Sequence, residues 1–213
     1  MAVATAFRGF AAEDFDVFAL AGFEPRMAAL RGHLRPRLVV LADELAPVLS
    51  HAAGIPLYPH VAAHLRRSVN PPPETWAAFG PDRRRYKAHA HLALGVDAGG
   101  AWLRPVLKDE ALTDRQALAR ILARARIAAL AGLPADMRVQ SEGAAARPVH
   151  ARADDAELGR LRRKTDAQWV VGRTLERTDP ALASGPLVER AAVDALTALL
   201  PLWRRLPSWP KST

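Results

Sequence analysis

The stretch AHLALGVDAGGAWLRPVLK, Ala90 to Lys108, decides the fold. Ala90–Val96 reads as a strand, Asp97-Ala-Gly-Gly100 carries turn chemistry, and Ala101–Lys108 returns as the partner strand, because glycine and aspartate accept the backbone angles of a tight reversal. A hairpin commits this part of the chain to an antiparallel sheet. Thr75–Phe79, Met137–Gln140 and Trp169–Leu175 read as further strands.

Helical patterns surround these strands. A short helix starts at Glu13 or Asp14 and runs through Leu20. Met27, Leu30, Leu34, Leu38, Leu41, Leu45 and Leu49 then recur at spacings of three and four, one long amphipathic helix that Pro36 and Pro47 should kink or divide. Gly54 and Pro56 end it, and a second helix is expected from His60 to about Val69. Thr113 and Gln116 have the spacing of a capping box that opens a helix reaching Gly132. Asp154 to about Lys164 and Pro186 to about Leu206 are expected as two more. Strands and helices mix without regular alternation, which predicts an α+β class: a single domain over residues 1–213, mostly antiparallel sheet packed with several helices, with residues 1–9 and 207–213 as loose ends.

Half of the 213 residues are apolar, enough for a substantial core. Cysteine is absent, which excludes disulfides, thiolate metal sites and cysteine nucleophiles. The N-terminal region reaches Arg8, Glu13 and Asp14 before any apolar core of a signal peptide can form, and no apolar run has the length of a membrane helix, so a cytoplasmic protein without membrane contact is expected. The formal net charge of +8 is the footprint of proteins that meet nucleic acid, acidic surfaces or phosphorylated ligands.

The densest chemistry lies in HVAAHLRRSVNPPPETWAAF, His60 to Phe79, followed by Arg84, Tyr86, Lys87 and His91. With its flanks this stretch resembles the YktB-like family of uncharacterised bacterial proteins, domain of unknown function 1054. The resemblance begins at Phe15, Gly22, Arg26, Met27 and Pro36 and runs through His60, His64, Arg66, Arg67, Val69, Asn70, Pro71, Pro72, Thr75, Trp76 and Phe79. It continues in register with Arg84, Tyr86, Lys87, His91 and Gly95, and ends on LLPLW. Arg85 stands where the family tends to have glycine and Ala90 where it has proline; the middle, Leu112 to Arg152, is much less similar. The resemblance implies a single-domain α+β fold and brings no activity with it.

On a helix His60, His64 and Arg67 would share one stripe and Arg66 would point aside. Arginine forks fit phosphate or carboxylate oxygens, and histidine adds a donor that responds to pH. The leading expectation is therefore a ligand site made of His60, His64, Arg66, Arg67, Asn70, Trp76, Arg84, Tyr86, Lys87 and His91. It would take a phosphate-bearing ligand, RNA or single-stranded DNA above others, with Trp76 or Tyr86 stacking on bases. A second reading is an enzyme acting on a small phosphorylated substrate with His64 or His91 as general acid or base. A third makes the motif an internal polar network of a structural or partner-binding protein. No cofactor is required by any motif; the one metal arrangement the spacing admits is zinc on His60, His64 and His91, with His89 as a substitute third ligand, although HVAAH lacks the glutamate of a zinc protease. Walker, G-x-S-x-G and dinucleotide signatures are missing, and the Gly99-Gly100 pair belongs to the turn.

Overall fold

The hairpin is the centre of the sheet. A computed structural model describes residues 6–65, 67–125, 130, 132–141, 147–148, 159, 162–163 and 169–211. Among them the strands are β1 Tyr58–Val61, β2 Glu74–Gly80, β3 His91–Asp97, β4 Gly100–Leu107, β5 Arg138–Ser141, β6 Arg147–Pro148 and β7 Trp169–Glu176. They form one sheet in the order β1-β2-β3-β4-β7-β5-β6. The pairs are antiparallel throughout. In the reversal between β3 and β4, the Asp97 carboxylate accepts the Gly99 N–H at 2.7 Å. Gly100 has φ +144°, and a Cβ there would lie 2.1 Å from the Leu175 carbonyl oxygen of β7, so only glycine fits where three strands meet.

Strand alternation gives the sheet two unlike faces. Ala77 and Phe79 of β2, Leu92, Leu94 and Val96 of β3, and Leu103 and Leu107 of β4 enter the main core. There they join Leu38, Leu41, Leu45 and Leu49 of α3 Arg35–Ala53 and Val188, Ala192 and Leu196 of α5 Gly185–Thr197. The other face holds a smaller cluster of Ala78, Ala93, Trp102 and Val106, against which Trp76, Tyr86 and Val170 pack. The α+β class follows from this arrangement of helices on one face of an antiparallel sheet.

Before α3 come α1 Ala12–Asp16, a 3-10 turn at Val17–Ala19, α2 Phe23–Ala29 and a π turn at Leu30–Leu34. Pro36 stands at the start of α3, and the wider π turn takes up the place where its missing amide and ring would disturb a regular helix. Pro47 is carried inside α3 without dividing it. Gly54, at φ +71°, closes the helix with its N–H on the Ser50 and His51 carbonyls. The fully buried Asp14 carboxylate ties α1 to this unit through the Ala11 N–H at 2.7 Å, His33 Nε2 at 2.9 Å and Arg37 Nε at 3.0 Å.

Three expectations are corrected. The segment from His60 to Val69 is not a helix: β1 ends at Val61, Ala62 adds one more bond to the ladder by donating to the Trp76 carbonyl at 2.9 Å, and His64 adopts φ +51°. Val61, Leu65 and Val69 imitate a helical stripe, yet Leu65 is 83% and Val69 73% exposed, so no core rewards that stripe, while pairing with β2 satisfies the backbone. Pro59 sits in this edge strand, where a lost donor is tolerated. Secondly, α4 spans Leu112–Ala125, so Thr113 lies inside its first turn and the Thr113–Gln116 box does not cap it. Asp114 is instead buried and accepts the Ala90 N–H at 3.3 Å and the Ser208 N–H at 2.9 Å, joining the helix to the start of β3 and to the C-terminal segment. Thirdly, the last helix is broken: α5 ends at Thr197 and α6 covers Leu200–Trp203, because Pro201 has no amide to offer the Thr197 carbonyl. The helix expected over Asp154–Lys164 lies almost wholly outside the described residues. Among the described residues no helix is long and apolar enough to cross a membrane.

Leu41 is fully buried between α3 and the sheet. Leu41→Ala is expected to cost about 2–5 kcal/mol by urea denaturation, with an unchanged denaturant slope.

Candidate functional site

The registers of β1 to β4 lay out the face away from the helices as rows. His60, Ala78, Ala93 and Arg104 form one row, and Trp76, Gly95 and Trp102 the next. Small residues in the middle of both rows leave a shallow floor, and rings lie over it. Gly95 admits the Trp102 indole: a Cβ at position 95 would stand 2.0 Å from that ring. Gly80 admits Tyr86 in the same way, at 2.5 Å from the Tyr86 Cβ. Tyr86 comes from a 3-10 turn, Tyr86–Ala88, that follows β2 and folds back over the sheet.

Tyr86 is the hub of a connected set of rings. Its hydroxyl accepts the Trp76 indole N–H at 3.2 Å. The His60 ring stacks on it at 4.7 Å with 28° between planes, and His91 meets it edge to face at 5.0 Å and 87°. His64 meets Trp76 edge to face at 5.3 Å and pairs through Nε2 with the Thr75 hydroxyl at 3.1 Å. His60 Nε2 donates to the Asp82 carbonyl at 3.0 Å, and His91 Nδ1 donates to the His89 carbonyl at 2.9 Å. Of the expected site residues, His60, His64, Trp76, Tyr86 and His91 are thus assembled into one network, by sheet register and not by a helical stripe.

The cations lie beside this network. Arg84 and Lys87 are exposed on the segment that carries Tyr86, together with Arg83 and Arg85. Arg83 stacks over the Tyr58 ring at 4.6 Å. The shape of the loop is set by Asp82, whose Oδ1 accepts the Arg84 N–H at 2.7 Å and the Arg85 N–H at 2.9 Å; these two amide bonds hold its carboxyl below the usual aspartate range. Arg67 and Asn70 are both exposed on the loop between β1 and β2, where the Arg67 guanidinium donates to the Asn70 carbonyl at 3.3 Å. Arg66 lies outside the described residues.

Two members of this face were not expected from the sequence. Trp102 packs almost buried over Gly95, and the Arg104 guanidinium lies 4.6 Å from the centre of its ring. Burial lowers the Arg104 pKa, opposed by Glu74 and Asp97. Their signal in the sequence is the W-L-R alternation in β4 opposite Gly95, which becomes legible only once the register is known.

Burial pushes His91 down to about 3, and burial together with the nearby Arg67 charge pushes His64 down to about 4. Both are neutral at neutral pH. Among the described residues no group of three or more His, Asp or Glu side chains is placed to hold a metal ion. His60, His64 and His91 each spend a ring nitrogen on a protein partner, and the helical spacing on which a zinc set rested does not exist.

A family model described as a domain of unknown function, DUF1054, matches residues 10–203. The chain belongs to this family. A UPF0637 protein of Listeria innocua is 31% identical over 202 residues, covering 93% of this chain and 97% of that protein. One from Oceanobacillus iheyensis is 30% identical over 206 residues, covering 92% and 95%. One from Bacillus velezensis reaches 46% over 87 residues, 41% of either chain. The DUF1054 match therefore spans the whole ring network and the sheet that carries it.

Gly95→Ala is expected to lift Trp102 off the DUF1054 sheet face, costing about 1–3 kcal/mol and changing the near-ultraviolet circular dichroism of the indole. The unfolded chain takes a proton on each histidine near pH 6.5, whereas the folded chain does so only near 4 at His64 and near 3 at His91. The stability these two contribute is complete above about pH 6.5 and is lost as the pH falls toward 4 and then 3. The urea midpoint is therefore expected to fall between pH 7 and pH 5, and His64→Gln to reduce that fall; a midpoint independent of pH in the wild type would contradict the buried neutral histidines.

Proposed function

We propose that this protein binds a phosphate-bearing ligand, single-stranded RNA or DNA, across the His60–Trp76–Tyr86 face and the cationic loop beside it. The observation that carries the reading is the adjacency of two chemistries. His60, Trp76 and Tyr86 are half-buried rings held together, His60 stacked on Tyr86 and the Trp76 N–H on its hydroxyl, and Arg83, Arg84, Arg85 and Lys87 are exposed on the segment that delivers Tyr86. The one carboxylate in that segment, Asp82, is occupied by the Arg84 and Arg85 amides and leaves the guanidiniums to solvent. Flat rings accept bases at roughly 1–3 kcal/mol each, and exposed cations take the phosphates between them.

Binding is favoured over catalysis by the state of the histidines. His91 is 1% exposed and His64 is depressed to about 4, so neither has the reach and basicity of a general base at neutral pH. A purely internal network is disfavoured by Arg67 and Asn70, whose side chains are exposed, the Arg67 guanidinium reaching only as far as the Asn70 carbonyl of its own loop.

Fluorescence anisotropy with labelled single-stranded RNA and DNA tests this. Affinity is expected to fall steeply with salt, and Arg84→Ala/Lys87→Ala to weaken binding at least tenfold while reducing the logarithmic salt slope by about 1.4, the share of two phosphate contacts on a single strand. Tyr86→Phe keeps the ring and removes the acceptor of the Trp76 bond, so it should change binding far less than the double variant. Absence of salt-dependent binding in the wild type would refute the proposal.

A further inference from the structure

A second cationic feature lies away from the ring network. A groove of about 330 Å³ is lined by Ala117, Arg120, Ile121 and Arg124 of α4 and by Arg205 and Pro207 of the C-terminal segment. Arg120 and Arg124 are one helical turn apart and share a side of α4. Arg205 approaches from the other wall, so three guanidiniums border one concavity floored by aliphatic groups.

The two stretches of sequence that carry these charges contain no acid between the lining residues. No Asp or Glu occurs from residue 115 to residue 135, nor from residue 195 to the C-terminus, and these two stretches contain every lining residue. Asp114, the one acid of α4, is buried at the far end of the helix on the Ala90 and Ser208 amides. Among the described residues none of the three guanidiniums makes an ion pair. The neighbouring Arg204 is different, since it spends its guanidinium on the Ala52 and Ala53 carbonyls of α3. A basic residue in the last turn of a helix is favoured by the helix dipole, which accounts for Arg124 but not for Arg120 in the middle of α4 or for Arg205 on another segment. Like charges bordering one concavity repel, and an anion between them reverses the sign.

We propose that this groove is a binding site for a small ligand carrying a di- or triphosphate, whose apolar part lies on Ile121 and Pro207. Planar arginine forks match phosphate oxygens in pairs. The volume falls at the lower end of the range for small-molecule sites, about 300–1,000 Å³. The proposal is independent of the ring network and does not need the nucleic-acid reading.

Sodium triphosphate, titrated at low ionic strength and followed by calorimetry and by amide shifts of α4 residues, provides the test. Saturable binding is expected, weakened at least tenfold in Arg120→Gln/Arg124→Gln and severalfold in Arg205→Gln, and unchanged in Arg84→Ala/Lys87→Ala. Thermal unfolding confirms that each variant is folded, and the exposed Arg205 supplies a reading should the helix pair fail. No saturable binding, or binding indifferent to both groove variants, would overturn the site. Loss in the Arg84/Lys87 variant of the same size as in the groove pair would place triphosphate on the other loop and equally overturn it. Displacement of triphosphate by a single-stranded oligonucleotide with a 5′-hydroxyl, at equal phosphate concentration, would assign the groove to a phosphodiester chain and end the small-ligand proposal.

Discussion

A strand sends alternate side chains to opposite faces, and in β2, β3 and β4 that alternation separates two kinds of surface. Phe79, Leu92, Leu94, Val96, Leu103 and Leu107 go one way and meet α3 and α5. Ala78, Ala93 and Gly95 go the other way and leave room above the sheet. Everything distinctive about the candidate site depends on that room. Were the inner positions large, Trp102 could not lie on Gly95, Tyr86 could not fold back over Gly80, and the loop that carries the cations would have no seat. A one-residue slip in any of these pairings would exchange the two faces, so the leucines that bury against α3 also fix the register that assembles the rings.

The sheet was legible in the sequence because its signals are local. Asp97 and Gly100 mark the turn by their own chemistry, and that turn brings the flanking apolar runs side by side. The helix expected over His60–Val69 shows why the rest was less legible. A spacing of four between Val61, Leu65 and Val69 is a sound helical pattern until the environment is known. The competing gain, pairing of Tyr58–Val61 with Ala77–Gly80, involves residues nearly twenty positions away, and the local pattern does not contain it. The prolines behaved unlike the expectation at both helices. Pro36 is absorbed by a π turn upstream and Pro47 is carried inside α3, whereas Pro201, within the stretch expected as one helix, breaks it.

The site shows the same division. His60, His64, Trp76, Tyr86 and His91 belong together, as their density in the sequence suggested, but the geometry that unites them is a row across strands and a turn folded back. Trp102 and Arg104 read only as positions of a hairpin strand, because their partners are Gly95 and Ala93 on the neighbouring strand. The family resemblance covers the stretch that holds these rings and leaves the roles of its residues to be derived from contacts.

The ring network also bears on how the cationic loop would meet a ligand. Ordering a flexible loop on binding costs roughly 1–2 kcal/mol per residue of backbone entropy. Here much of that ordering is already built in. Asp82 accepts two amides of the loop through one carboxylate, His60 holds the Asp82 carbonyl from below, and Tyr86 is clamped between His60, His91 and the Trp76 N–H. A neutral His91 suits this role, since its charged ring would have to be buried against the repulsion of Lys87 and Lys108. The polar network and the proposed binding are therefore not rivals: a loop held this firmly presents Arg84 and Lys87 from a fixed base, so that a ligand meeting them would spend less of its binding energy on ordering the protein.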